Sequence, residues 1–162
     1  IEQAMHEKFA VDHTEAFRES LSAAADIVYL LDNAGEIVFD KILIEQLLEH
    51  APVTAVVKGG PIINDAILAD AEQVGLTRVC PVIDNGGAFI GSPLELVPRA
   101  FLARLEKADM IVCKGQGNYE TVDAFPGNVF FILKAKCKII AQHMGVRLGQ
   151  VGLVSSRVRS NA

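Results

Sequence analysis

The chain has 162 residues, 51% of them hydrophobic, and a formal net charge of -5. That length suits one domain with a sizeable core, and the acidic balance argues against a nucleic-acid surface, which would carry a basic stripe. No apolar run approaches the ~20 residues of a membrane span, and no signal peptide is read at the start.

Residues 1–25 read as a polar N-terminal helical segment. Asp12-His13-Thr14-Glu15 resembles its capping region, and His6 and His13 are expected to be solvated. From residue 26 strands and helices alternate. A first strand covers 26–32. A helix follows over 36–50, with Phe39, Leu43 and Leu47 four apart. The additional apolar positions Val38, Ile42, Ile44 and Leu48 predict burial on more than one face. A valine-rich strand at 52–58 stops at Gly59-Gly60-Pro61, and a helix over 61–74 opens on the proline, where a helix tolerates one. The pattern continues as a strand at 77–83, a glycine-bearing loop at 84–93 and a helix at 94–107. It closes with strands at 109–113 and 128–133 and a helix at 136–144. The tail after Gly145 has a short apolar alternation and a basic end, Arg157 and Arg159, with no assigned role. Cys80, Cys113 and Cys137 are odd in number and form no CxxC pair, so zinc is not expected. They read as reduced core thiols of a cytoplasmic protein.

Strands that alternate with long helices predict a mainly parallel sheet covered on both faces. The fold expected over 26–162 is therefore α/β, a three-layer α/β/α Rossmann-like domain with right-handed crossovers.

In such a sheet the carboxyl ends of the strands share one edge, where ligands bind. The polar residues collect there. The first strand ends in Asp32-Asn33. The second ends in Lys58-Gly59-Gly60, with Asn64-Asp65 close behind. The fourth ends in Lys114-Gly115-Gln116-Gly117-Asn118, and the fifth in Lys134. Asp32, Asn33 and Asp65 are oxygen ligands suited to a hard divalent cation. Lys114 and Lys134 could neutralise a phosphoryl group, and Gly59, Gly60, Gly115 and Gly117 would let backbone approach it closely. The same residues also allow a plainer reading: an Asn-Gly-type turn capped by Asp32, with Asp65 in a helix's first turns. No GxGxxG follows the first strand and no GxxxxGK[ST] is present, so the usual NAD or ATP sites are weakly supported.

The strings LLDNAGEIVFDKILIE, VVKGGPIINDA, ADMIVCKGQGNYET and FFILKAKC resemble the metal-dependent damage-control phosphatase family, in its small archaeal and bacterial branch. The likeness runs from about residue 9 to 144. It implies a divalent metal (Mn, Mg, Co or Ni) held by Asp32, Asn33 and Asp65, and a phosphate-binding lysine at Lys134. It also implies that Lys114, Gly115, Gln116, Gly117, Asn118, Tyr119 and Glu120 touch the substrate and that Glu36 reaches it. Relatives hydrolyse phosphate esters of sugars and of damaged metabolites. They carry a helical region ahead of the catalytic half, so this chain is expected to be the catalytic C-terminal portion of a longer protein.

The function expected is thus a metal-dependent phosphatase for a small phosphorylated metabolite, with Asp32, Asn33, Lys114 and Lys134 as its catalytic residues. Asn118 and Glu36 would orient the substrate. No acid stands two residues after Asp32, which favours direct attack by water over a phospho-aspartate. Two rivals differ in class. A methyltransferase using S-adenosylmethionine would need an acid where the second strand ends in Lys58. A non-enzymatic phosphometabolite-binding domain would seldom require metal ligands.

Overall fold

In the computed structural model, residues 8–159 are described. The elements are β1 (Val11–Asp12), α1 (Thr14–Ala23), β2 (Ile27–Leu30), α2 (Ile37–Leu47), β3 (Val53–Val57) and α3 (Leu68–Gln73). A short 3-10 turn (Leu76–Arg78) precedes β4 (Val82–Asp84). Then come α4 (Arg99–Lys107), β5 (Met110–Lys114), α5 (Gly115–Val122), β6 (Val129–Lys134), α6 (Lys138–Met144), β7 (Val151–Ser155) and α7 (Ser156–Arg159).

The seven strands form one sheet in the order β1-β7-β6-β5-β2-β3-β4. Every pairing is parallel except β6 with β7. All four residues of β2 are buried, as expected of a strand covered on both faces. One face packs Phe101, Leu105, Tyr119, Val122, Ile140 and Met144 of α4, α5 and α6. The other packs Phe17 and Leu21 of α1, Ile37, Ile44 and Leu47 of α2, and Ala71 of α3. The architecture is the three-layer α/β/α arrangement with a mainly parallel sheet. From β2 the chain winds outward to β3 and β4; from β5 it winds the other way to β6 and β7. The direction reverses between the adjacent strands β2 and β5, which makes their carboxyl ends the switch point of the sheet.

Several sequence-based boundaries are corrected. Residues 8–25 are helical over Thr14–Ala23, as expected, but they are built into the sheet and its core. Val11–Asp12 pairs with β7, and Phe17 of α1 packs edge-on against Phe130 at 5.2 Å. The earlier part of the predicted segment, with His6, lies outside the described residues. His13 is not simply solvated, because its Nδ1 accepts a hydrogen bond from Ser155 N–H at 2.9 Å. The tail is strand β7, inserted between β1 and β6.

The predicted helix over 61–74 shrinks to Leu68–Gln73. Its first residues instead bridge the strand ends, with Asn33 opposite Asp65 and Lys58 beside Ile67. Of the predicted strand at 77–83 only Val82 and Ile83 are strand, after a 3-10 turn that ends at Arg78, and the helix at 94–107 begins only at Arg99. In α2 the buried stripe is Ile37, Asp40, Ile44 and Leu47, whereas Val38, Phe39 and Ile42 are exposed. Phe39 therefore does not belong to the core, and an acid occupies one core position. Cys80 and Cys113 are buried free thiols, and Cys137 is half-buried.

Candidate active site

Asp32 and Asn33 leave β2 at the switch point. Asp32 C=O accepts Ala66 N–H at 2.7 Å, Ala34 N–H reaches Asn64 C=O at 2.9 Å, and Lys58 N–H reaches Ala66 C=O at 2.9 Å. These bonds lay the 64–66 segment across the ends of β2 and β3 and bring Asp65 beside Asp32. Strand β5 ends next to β2, and α5 starts at Gly115 with φ +78. A β-carbon at Gly115 would overlap the Asp32 carboxylate, so only glycine permits this approach.

Asp32 is 8% exposed. Burial, then the negative charges of Asp65 and Glu36, push its carboxyl up to about 6, against the opposing pull of Lys58 and Lys136. Asn33 Nδ2 donates to Asp32 Oδ2 and to Glu36 Oε1, both at 3.0 Å. The amide thus spends its donors on carboxylates and keeps its oxygen as a possible ligand. Asp65 Oδ2 is buried and accepts no well-formed hydrogen bond; the Lys58 ammonium stands 3.5 Å away. Two carboxylates, one raised by burial and by its neighbour and one with a buried unsatisfied oxygen, could hold a cation. Among the described residues no three His, Cys, Asp or Glu side chains form a metal-ready group. The fitting set is therefore two carboxylates and an amide, a hard oxygen donor set.

A cleft of about 370 Å³ opens beside Asp32, lined also by Glu36, Lys114, Gln116, Lys134 and Lys136. Asn33 and Asp65 adjoin it through Asp32. Lys114 donates to Asp40 Oδ1 at 2.7 Å and to Glu36 Oε2 at 3.1 Å. Burial works against its charge, but Asp40 and Glu36 outweigh burial and raise its pKa. Burial would likewise raise Glu36, yet Lys114 and the Asn33 bond hold it low. Asp40, 2% exposed, also accepts Tyr29 O–H at 2.8 Å. Burial raises its pKa, with Lys114 opposing. The Lys114 charge is therefore already shared between two acids. The exposed lysines of the cleft are Lys134 and Lys136.

Of the other predicted positions, Gln116 lines the cleft and Gly59, Gly60, Asn118 and Tyr119 do not. Gly59 packs against the 86–87 backbone, where a β-carbon would not fit, and its N–H donates to Asn85 Oδ1 at 3.1 Å. Gly59 and Gly60 thus brace a loop. Asn118 is fully buried and donates to Leu31 C=O at 3.0 Å and Lys114 C=O at 2.8 Å; it joins β2 to β5 from within. Tyr119 is a core residue, edge-on to Phe131 at 5.0 Å, with its hydroxyl 3.1 Å from His143 Nδ1. Gln116 lines the cleft but is clamped, donating to Glu120 Oε1 at 2.7 Å and accepting Lys136 N–H at 2.9 Å. Glu120 points to that clamp. Burial pushes the Cys113 thiol well up, which makes it inert.

The sequence places Lys58 among the polar strand ends but assigns it no role, and Asp40 and Lys136 have none either. Signals existed for two of them. Lys58 ends an otherwise apolar strand, and Asp40 falls three residues after Ile37 and four before Ile44, on the core stripe.

Fold and site together define a Rossmann-like α/β/α domain with a carboxylate and lysine cleft at its switch point. The family model for the Damage-control phosphatase ARMT1-like domain matches residues 1–151, and the chain belongs to that family. It is 41% identical over 152 residues to a damage-control phosphatase of Pyrococcus horikoshii, covering 92% of this chain and 53% of that protein. It is 36% identical over 154 residues to a damage-control phosphatase of Archaeoglobus fulgidus, covering 93% and 53%. A crystal structure of a DUF89 family protein from Pyrococcus horikoshii superposes with a TM-score of 0.90 at 39% identity, over 96% of this chain and 55% of that one. The chain spans about half the length of the curated relatives it matches. No described helix is long and apolar enough to cross a membrane.

Proposed function

We propose that the chain carries the active site of a metal-dependent phosphatase acting on small phosphate monoesters, of the sugar-phosphate or damaged-metabolite kind. The observation that carries this reading is the pairing of Asp32, raised to about 6, with Asp65, whose buried Oδ2 makes no well-formed hydrogen bond and has only the Lys58 ammonium, 3.5 Å away, to offset its charge. Two such acids at a strand-end cleft are costly without a cation between them. The names of the relatives support a phosphatase.

In this reading Asp32, Asn33 and Asp65 hold a divalent ion. Magnesium or manganese suits the oxygen set, and cobalt and nickel follow from the family. Such an ion supplies Lewis acidity toward a phosphoryl oxygen and a water. The side chains do the rest. Lys134, on the open side of the cleft, takes the negative charge of the phosphoryl oxygens. Lys114, pinned by Asp40, fixes Glu36 against Asn33 and so orients the amide. Asp32 is held by Asn33 and packed on Gly115, with no acid two residues on to protonate a leaving group; water is the nucleophile we favour.

The test is phosphate release from para-nitrophenyl phosphate. The protein is stripped with chelator and given magnesium, manganese, cobalt or nickel one at a time. Metal-dependent release that disappears in Asp32→Ala and Asp65→Ala is expected. Release that is indifferent to metal, or retained in Asp32→Ala, would sink the reading.

A further inference from the structure

Lys58 follows directly on β3 and is 3% exposed. An ammonium so buried is unfavourable unless its partners are polar or charged, and here they come from three separate segments: the loop after β3, the loop after β4 and helix α5. Its Nζ donates to Gly91 C=O at 2.8 Å and to Asn118 Oδ1 at 3.4 Å, and it stands 3.5 Å from Asp65 Oδ2. Gly91 C=O also accepts Asn85 Nδ2 at 3.1 Å, which ties in the loop after β4. Asn118 bonds in turn to the carbonyls of Leu31 and Lys114, the residues just before Asp32 and Gly115. One side chain therefore connects the ends of β2, β3, β4 and β5.

We propose that Lys58 is a positioning residue for the cation site. It holds Asp65 at the height of Asp32 and keeps the β2 and β5 ends in register, so that both carboxylates face one point. This rests on the cation reading above. It also has a distinctive sign. As a positive charge beside the site, Lys58 repels a cation, and its removal should tighten binding if charge is all it contributes. As a positioning group, its removal should loosen binding. Supporting contacts around metal ligands typically matter by ~10–100-fold in affinity.

The experiment is Mn²⁺ titration by calorimetry of the unaltered chain, Lys58→Met and Lys58→Arg, with amide hydrogen exchange of the metal-free proteins. Methionine keeps length and removes charge. Weakening by tenfold or more is expected, with faster exchange across 62–67. Equal or tighter Mn²⁺ binding by Lys58→Met, or unchanged exchange there, overturns the inference. Arginine keeps the charge and moves the donors, so positioning predicts weaker binding and charge alone predicts none; that variant decides if the methionine form fails to fold. An unaltered chain that binds no Mn²⁺ removes the cation reading itself and this inference with it, an outcome distinct from the others.

Discussion

The Asp32 carboxylate lies against the Cα of Gly115, with no room for a β-carbon between them. This contact joins the ends of β2 and β5, the two neighbouring strands from which the chain winds in opposite directions. A Gly115→Ala substitution combines a left-handed backbone, ~1–2 kcal/mol for a non-glycine residue, with a collision at the carboxylate. It is expected to lower the melting temperature and to abolish metal-dependent phosphate release. Retention of both would refute the importance given to this contact.

The raised Asp32 carboxyl leads to a pH prediction for the metal-free chain. Its folded pKa, about 6, lies above the ordinary 3.8, so the folded state binds this proton more tightly than the unfolded state. The stabilisation is present below about pH 4 and is lost as pH climbs through about 6. Asp32→Asn removes the like charge beside Asp65. It is expected to make the chelated protein more stable than the parent at pH 8, by roughly 1–2 kcal/mol after allowance for solvent screening, and no more stable at pH 4. Denaturation midpoints at the two pH values check this; a variant less stable at pH 8 would contradict it.

The two lysines picked out from sequence should behave differently. Lys114→Met leaves Asp40 buried with only Tyr29 for a partner, and losing one member of a buried pair costs roughly 3 kcal/mol. Stability and activity are both expected to fall. Lys134→Ala removes an exposed side chain of the cleft, and the expected result is an unchanged melting temperature with KM raised about tenfold. Denaturant unfolding beside steady-state kinetics separates the two, and a large stability loss in Lys134→Ala would contradict the assignment.

Much of this was legible in the sequence because it depended on local pattern. The alternation of apolar strands with helices gave the layers, and the polar strand ends gave one edge for Asp32, Asn33, Asp65, Lys114 and Lys134. What could not be read depended on partners far along the chain. Residues 62–66 were expected to be helical after Pro61, but Asp32 C=O and Lys58 N–H take Ala66 as their partner. Those bonds hold the segment across the strand ends, with Ile63 at φ 50. Tyr119 and Asn118 sit in a motif that reads as a substrate loop; because it is helix α5, they turn inward. Asp40 is buried through Tyr29 and Lys114, 11 and 74 positions away, partners that no local pattern reveals. The strand order, and with it the switch point, has no local signature.

The pairing of β1 with β7 has a consequence for how the molecule assembles. The bond from Ser155 N–H to His13 Nδ1 spans 142 positions, and closing so long a loop costs entropy before any contact repays it. The strands that line or lead into the cleft, β2, β5, β6 and β7, do not wait for that closure, since each finds a neighbour nearer in the chain. The edge that carries the candidate site is thus expected to form early in folding, and the outer seam, where the first described strand meets the last, to zip up afterwards.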